Sequence, residues 1–212
     1  MSPRTVFLPE ATKDVIRRKA QTAMPVDLNA LLAANDEVAK KLRRPFGFQI
    51  DTDPHQAGWF TIDGIAKIRC IGGEGAGGVF VLLPDQRILY ISSEAAAGVI
   101  ATDFNAFIQL IVTHPYWQDL LHFSGGGKLS EMQRAAPALE ASYLDEEEEL
   151  DEARDFVKSE LDLKDPVDAI AALHRAVSTS NVIVRSFDDK PFRNLFNTFT
   201  ADQSPSLRDY LE

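Results

Sequence analysis

Apolar residues along the chain keep more than one rhythm, and each rhythm predicts a different kind of element. From Asp27 onward Leu28, Leu31, Leu32, Val38, Ala39 and Leu42 recur at helical spacing, behind Pro25 and a capping Asp27, and the run closes with KKLRR before Pro45. The spacing predicts an amphipathic helix with a basic end. Lys40, Lys41, Arg43 and Arg44 there suit the negative pole of the helix dipole, with no nucleic-acid contact required. The shorter stretch TKDVIRRKA, residues 12–20, reads as a second helix.

The period then changes. FGFQI, GWFTI, IAKIRCI, VFVLL and RILYIS are short runs rich in aromatic and β-branched residues, separated by turn signals at Asp53-Pro54, Asp63-Gly64, the glycines 72–78 and Pro84-Asp85. They predict a meander of antiparallel strands. Asp63-Gly64, between Ile62 and Ile65, matches a two-residue type I′ hairpin turn, in which both central residues take positive φ.

Thr102-Asp103 then offers a cap for Phe104, Phe107, Ile108 and Ile111, which lie at i, i+3, i+4 and i+7. PYWQDLLHF, from Pro115, predicts a second short helix. Gly125-Gly126-Gly127 reads as a flexible linker. Residues 128–178 are helical in composition, with Pro137 expected to kink or split the first helix, and VIVRSF, residues 182–187, reads as a late strand.

These elements predict an α+β fold: a mainly antiparallel sheet of about five or six strands flanked by helices, with a helical C-terminal extension. The expected organisation is N-terminal helices over 1–44, the sheet and its following helices over 45–124, and the extension with its strand and polar tail over 125–212, packed on the core.

Charge adds one asymmetry. The net charge is −10, yet residues 1–44 carry nine Lys/Arg against five Asp/Glu, so the acidic excess lies in the remainder. An acidic field repels nucleic acid and favours basic partners, although acidic solvated surfaces are common. The run DEEEELDE, Asp145 to Glu152, reads either as the solvated start of a helix or as a surface for a basic protein, through Asp145, Glu146, Glu147, Glu148 and Glu149. The single cysteine, Cys70, precludes an intrachain disulfide, and no apolar run is long enough to span a bilayer. The expectation is a soluble, cytoplasmic protein.

Two glycine-rich segments imitate phosphate sites. Gly73, Gly75 and Gly78 in RCIGGEGAGGVF spell G-x-G-x-x-G, but a dinucleotide loop needs a helix directly after it, and Val79 to Leu83 read as a strand. The loop is therefore expected to turn the chain and let strands pack closely. SGGGKLS, residues 124–130, resembles the end of a P-loop, yet Leu129 stands where Ser or Thr should hold magnesium, and His122 stands where the first glycine should be.

Other chemistry is sparse. The histidines show no H-E-x-x-H spacing, and one cysteine cannot build a closed zinc site of the usual sulfur type. Asp51 and Asp53 in DTDPH suit a shared cation or a simple turn, and His55 adjoins them. Ser92-Ser93 lacks the flanking glycines of a nucleophile elbow. An enzyme or small-ligand protein would have to use the 72–78 loop with Asp51, Asp53 and His55.

The order GGEGAGGVFVLL followed by RILYISSEAAAGVIATDFNAFIQLI resembles the core of the SUKH superfamily, the Smi/Knr-type domain of cell-wall regulators and bacterial immunity proteins. The matching residues are Gly75 to Gly78, Val79 to Leu83, Arg87 to Ile91, Glu94, Ile100, Phe104, Phe107 and Ile108, within roughly residues 45–122. The resemblance implies an α+β fold, no catalytic residues, no cofactor, and function by binding another protein. In bacterial members that partner is often a basic toxin domain. Glu94 and the 145–149 run are then the candidate partner-binding residues. A scaffold role for the helical C-terminal half is a further alternative.

Overall fold

Continuous apolar strands need cover on both faces, and the architecture supplies it. The computed structural model describes residues 36–51, 57–207 and 210; the helix expected over 12–20, the start of the helix from Asp27, and Asp53 and His55 lie outside them. The described chain is α+β, and its order is α1 (Asp36–Arg43), β1 (Gln49–Ile50), β2 (Phe60–Ile62), β3 (Cys70–Gly73), β4 (Val79–Leu82), β5 (Ile88–Ile91) and β6 (Ala97–Ala101). There follow α2 (Phe104–Thr113), α3 (Trp117–His122), α4 (Leu129–Glu146), α5 (Leu150–Glu160), α6 (Ala169–Ser178), β7 (Val184–Ser186) and two short 3-10 turns, Ala201–Gln203 and Pro205–Leu207.

The main sheet has five antiparallel strands in the order β1-β3-β4-β5-β6. Its period-two alternation sorts side chains into two cores. Ile71, Phe80, Leu82, Ile88, Tyr90 and Ile100 face the helices, where Phe104, Phe107, Ile111, Leu120, Leu139, Leu150 and Val157 join them. Cys70, Val79, Val81, Leu89, Ile91 and Val99 face the other way, under Phe60, Ile62 and Val184 of the small β2-β7 sheet and Ala176 of α6. Phe48, Phe80 and Phe107 centre the first core, with ring centroids 4.9 to 5.4 Å apart. Helices from beyond residue 125 thus share one apolar cluster with the sheet and α1.

The Asp103 cap forms as expected, its Oδ1 accepting from the Ala106 amide at 2.8 Å. Four expectations are corrected. First, Asp63-Gly64 is not a type I′ hairpin: of the two, only Gly64 has positive φ, and Ile62 and Ile65 form a lone bridge. β2 pairs instead with distant β7, because Phe60 and Ile62 are needed over the second sheet face.

Second, the sheet includes β6, AGVIA, which is not among the predicted strands because its Val99-Ile100 pair is flanked by alanine and glycine; Gly98 is small because the Leu195 side chain would lie 3.0 Å from a Cβ there. Third, Pro137 does not split α4: one helix continues through it, and the proline sits on the exposed side, where water can satisfy the carbonyl that proline leaves without a donor.

Fourth, the glycines 125–127 are built into the fold and do not form a loose linker. All three have positive φ, Ser124 is fully buried, and a Cβ on Gly127 would come within 2.8 Å of the Phe196 ring. Their amides are spoken for: Gly125 N–H donates to Phe199 O and Gly126 N–H to Asn197 O, both at 2.8 Å.

Candidate functional site

The glycine loop between β3 and β4 closes on a residue of its own. Glu74 Oε2 accepts from the Ala76 amide at 2.6 Å, and Oε1 accepts from the Gly78 amide at 2.8 Å. Gly77 N–H donates to the Glu74 carbonyl at 3.0 Å. A carboxylate therefore occupies the place where a phosphate-binding turn would receive its ligand, and the loop joins two strands with Gly73 opposite Val79. Gly72 and Gly78 serve close packing: a Cβ on Gly72 would collide with the Phe48 ring and the Gln49 carbonyl, and one on Gly78 would lie 2.5 Å from the Tyr90 hydroxyl.

Glu74 faces a cleft of roughly 360 Å³ that five segments build together. The β3–β4 turn contributes Glu74 and Ala76, β5 contributes Tyr90, and the β5–β6 turn contributes Ser92, Ser93 and Glu94. From α3 come Trp117, Gln118, Asp119 and His122, and the C-terminal segment closes the cleft with Arg193 and Asn197. Tyr90 is its hinge: the hydroxyl donates to Glu74 Oε1 at 3.1 Å and accepts from Gln118 Nε2 at 3.2 Å. Burial, reinforced by Glu74, raises the Tyr90 pKa beyond the ordinary tyrosine range, so the phenol stays a donor. The Trp117 ring meets Tyr90 edge-on at 5.0 Å, which ties the cleft floor to the aromatic core.

Asp119 stands on the cleft wall, reachable by solvent yet surrounded by protein. That burial pushes its carboxyl pKa up, Glu146 adds to the rise, and His122 opposes it. Among the described residues Asp119 has no salt-bridge partner. His122 stacks on Phe199 at 4.9 Å and receives a hydrogen bond at 3.4 Å from Asn197 Nδ2 on Nδ1. At the mouth, Arg193 Nη2 lies 3.2 Å from Glu94 Oε2, and the Arg193 backbone is stitched to the β6 edge by bonds to Ala95 and Ala97. Ser92 is a turn residue whose Oγ accepts from the Glu94 amide at 3.1 Å.

The remaining candidates fall elsewhere. Of the acidic run, Glu147 pairs with Arg44 at 3.5 Å and Glu149 with Lys41 at 3.2 Å, while Asp145 accepts from the Tyr210 hydroxyl at 2.7 Å. Glu146 and Glu148 are exposed. The basic end of α1 thus meets the acidic run directly. Asp51 does come together with the glycine loop, in a separate depression of roughly 310 Å³ shared with Gln49, Trp59 and Gly77. Among the described residues no group of three or more His, Cys, Asp and Glu is placed to hold a metal ion, and no helix is long and apolar enough to cross a membrane.

Of the residues that line this cleft, sequence reasoning names Glu94 as a candidate but not Tyr90, Trp117, Gln118, Asp119, His122 or Arg193. Tyr90 carries a local signal, a polar-tipped ring in an otherwise apolar buried strand that needs a partner for its hydroxyl. Nothing local links residues 74, 90, 119 and 193.

Neither the family models, the curated proteins nor the solved structures contain a match to this chain.

Proposed function

We propose that this chain is a non-enzymatic protein-binding domain of SUKH type, acting as an immunity or regulatory protein toward a partner with a basic surface. The observation that carries the reading is the glycine loop closed on Glu74. With the Ala76 and Gly78 amides bound to that carboxylate, a nucleotide phosphate would have to displace a tethered anion. Beside the loop lies an open cleft that brings Glu74, Glu94 and Asp119 together, carboxylates complementary in charge to a basic protein surface. The exposed acidic positions on the 145–149 turn extend the same sign of charge, which speeds encounter with a basic partner.

The test is binding between the purified chain and any toxin-like domain encoded next to it. Sub-micromolar association that protects cells expressing that domain is the expected outcome. A neighbour that neither binds nor is neutralised removes the immunity form of the proposal.

A second reading has one observation in its favour, the depression that joins Asp51 to the glycine loop. A thermal-shift screen with nucleotides, sugar phosphates and divalent ions separates the two. A ligand present at a hundred times its Kd adds about 2.7 kcal/mol, so a specific small-molecule site would raise the melting temperature.

A further inference from the structure

We infer that the cleft between the glycine loop and α3 seats one cationic side chain, a lysine or an arginine, of the partner protein; this rests on the protein-binding reading above. Size is the first ground. At roughly 360 Å³ the cleft falls at the small end of ligand pockets, ample for one long side chain. Chemistry is the second. Glu74, Glu94 and Asp119 come from three separate elements around a floor that includes the nearly buried Tyr90 and Trp117 rings, so a cation entering it meets carboxylates on its flanks.

An inorganic ion fits less well. A hard divalent cation wants several oxygens converging at about 2.0 to 2.6 Å, and no such group exists among the described residues. Carboxylates spread along a cleft wall match instead the several N–H donors of a guanidinium or ammonium group.

The chain itself supplies an example of the contact. Arg193 lies at the cleft mouth with its guanidinium 3.2 Å from Glu94, and with about half of its side chain still exposed, the pair is open to exchange. On the wall formed by α3, Asp119 is exposed to solvent and has no salt-bridge partner among the described residues. An arriving cation would give that carboxylate a direct salt-bridge partner.

The experiment is a titration of the ¹⁵N-labelled full chain with Nα-acetyl-L-argininamide, and in parallel with Nα-acetyl-citrullinamide, which keeps the shape and carries no charge. Argininamide should shift the Trp117 indole N–H and the Gln118 and Asp119 amides, citrullinamide should not, and the shifts should shrink at least tenfold in the Asp119→Asn/Glu94→Gln variant. An unchanged spectrum elsewhere shows that this variant is folded. Shifts confined to residues 145–149, equal shifts with both probes, or no shifts at all overturn the inference. The two readings fail separately. If the variant still binds a toxin domain with unchanged Kd, the cleft assignment falls and protein binding stands. If argininamide seats in the cleft but no basic protein binds, protein binding falls.

Discussion

Two glycine-rich segments look alike in the chain and behave differently in the fold. Residues 72–78 turn one strand into the next, and their amides are satisfied from inside the turn by Glu74. Residues 125–127 hold distant parts together: the Gly125 and Gly126 amides reach the carbonyls of Phe199 and Asn197, while the Gly127 carbonyl lies 2.8 Å from His174 Nε2 of α6. The first is a local closure and the second a tertiary junction. What distinguishes them is the identity of the hydrogen-bond partner, since buried amides must find one and glycine only sets which directions are open.

The comparison can be broken by substitution. The largest effect is expected at Gly72, where an added methyl meets the buried Phe48 ring and the fixed Gln49 carbonyl. Gly72→Ala should cost about 3 kcal/mol, a fall in Tm of roughly 6 to 12 °C by calorimetry. Gly127→Ala follows at about 2 kcal/mol, because φ is +87° and Phe196 must move, although that partly buried ring has room to yield. If Gly127→Ala were neutral, the junction would be no more than a loose connection.

Glu74→Ala removes the acceptor for two loop amides and the Tyr90 hydroxyl. Water reaches part of this turn, so the expected loss is about 1 to 2 kcal/mol in urea unfolding. This variant also sharpens the comparison functionally. Millimolar inorganic phosphate should leave the wild-type Tm unchanged, and a rise seen only after Glu74→Ala would mark the carboxylate as the group that bars anions. The smallest effect is Ser124→Ala. Its hydroxyl donates to Asn197 O and accepts from Gly127 N–H, but both groups keep another partner, so about 1 kcal/mol is expected.

Legibility in the sequence followed how local each feature was. VFVL and ILYI could be read as strands because both of their faces are buried, which leaves an unbroken apolar run. Asp103 was legible as a cap because it bonds an amide three residues on. β6 was not, since Gly98 answers to Leu195 nearly a hundred residues later. The β2-β7 pairing was equally hidden: Thr61 sits opposite Arg185, and the Asp63 to Arg185 ion pair at 3.0 Å secures it across the chain. The acidic run and the basic end of α1 were each visible as charge, but their meeting through Glu149 and Lys41 was not.

The candidate site was the least legible part. Glu94 entered only through a resemblance drawn from the sequence, whereas the cleft around it draws on residues from 74 to 197 whose only common property is where the fold leaves them.

By itself the sequence determined the α+β class, the main strands and helices, and the strand that follows the glycine loop, because backbone propensity and side-chain period act over a few residues. Tertiary structure alone decided which amides the glycines serve, which strand covers the second sheet face, and which carboxylates share a cleft. Those outcomes depend on burial and hydrogen-bond pairing between distant segments, and such pairing exists only once the chain has closed on itself.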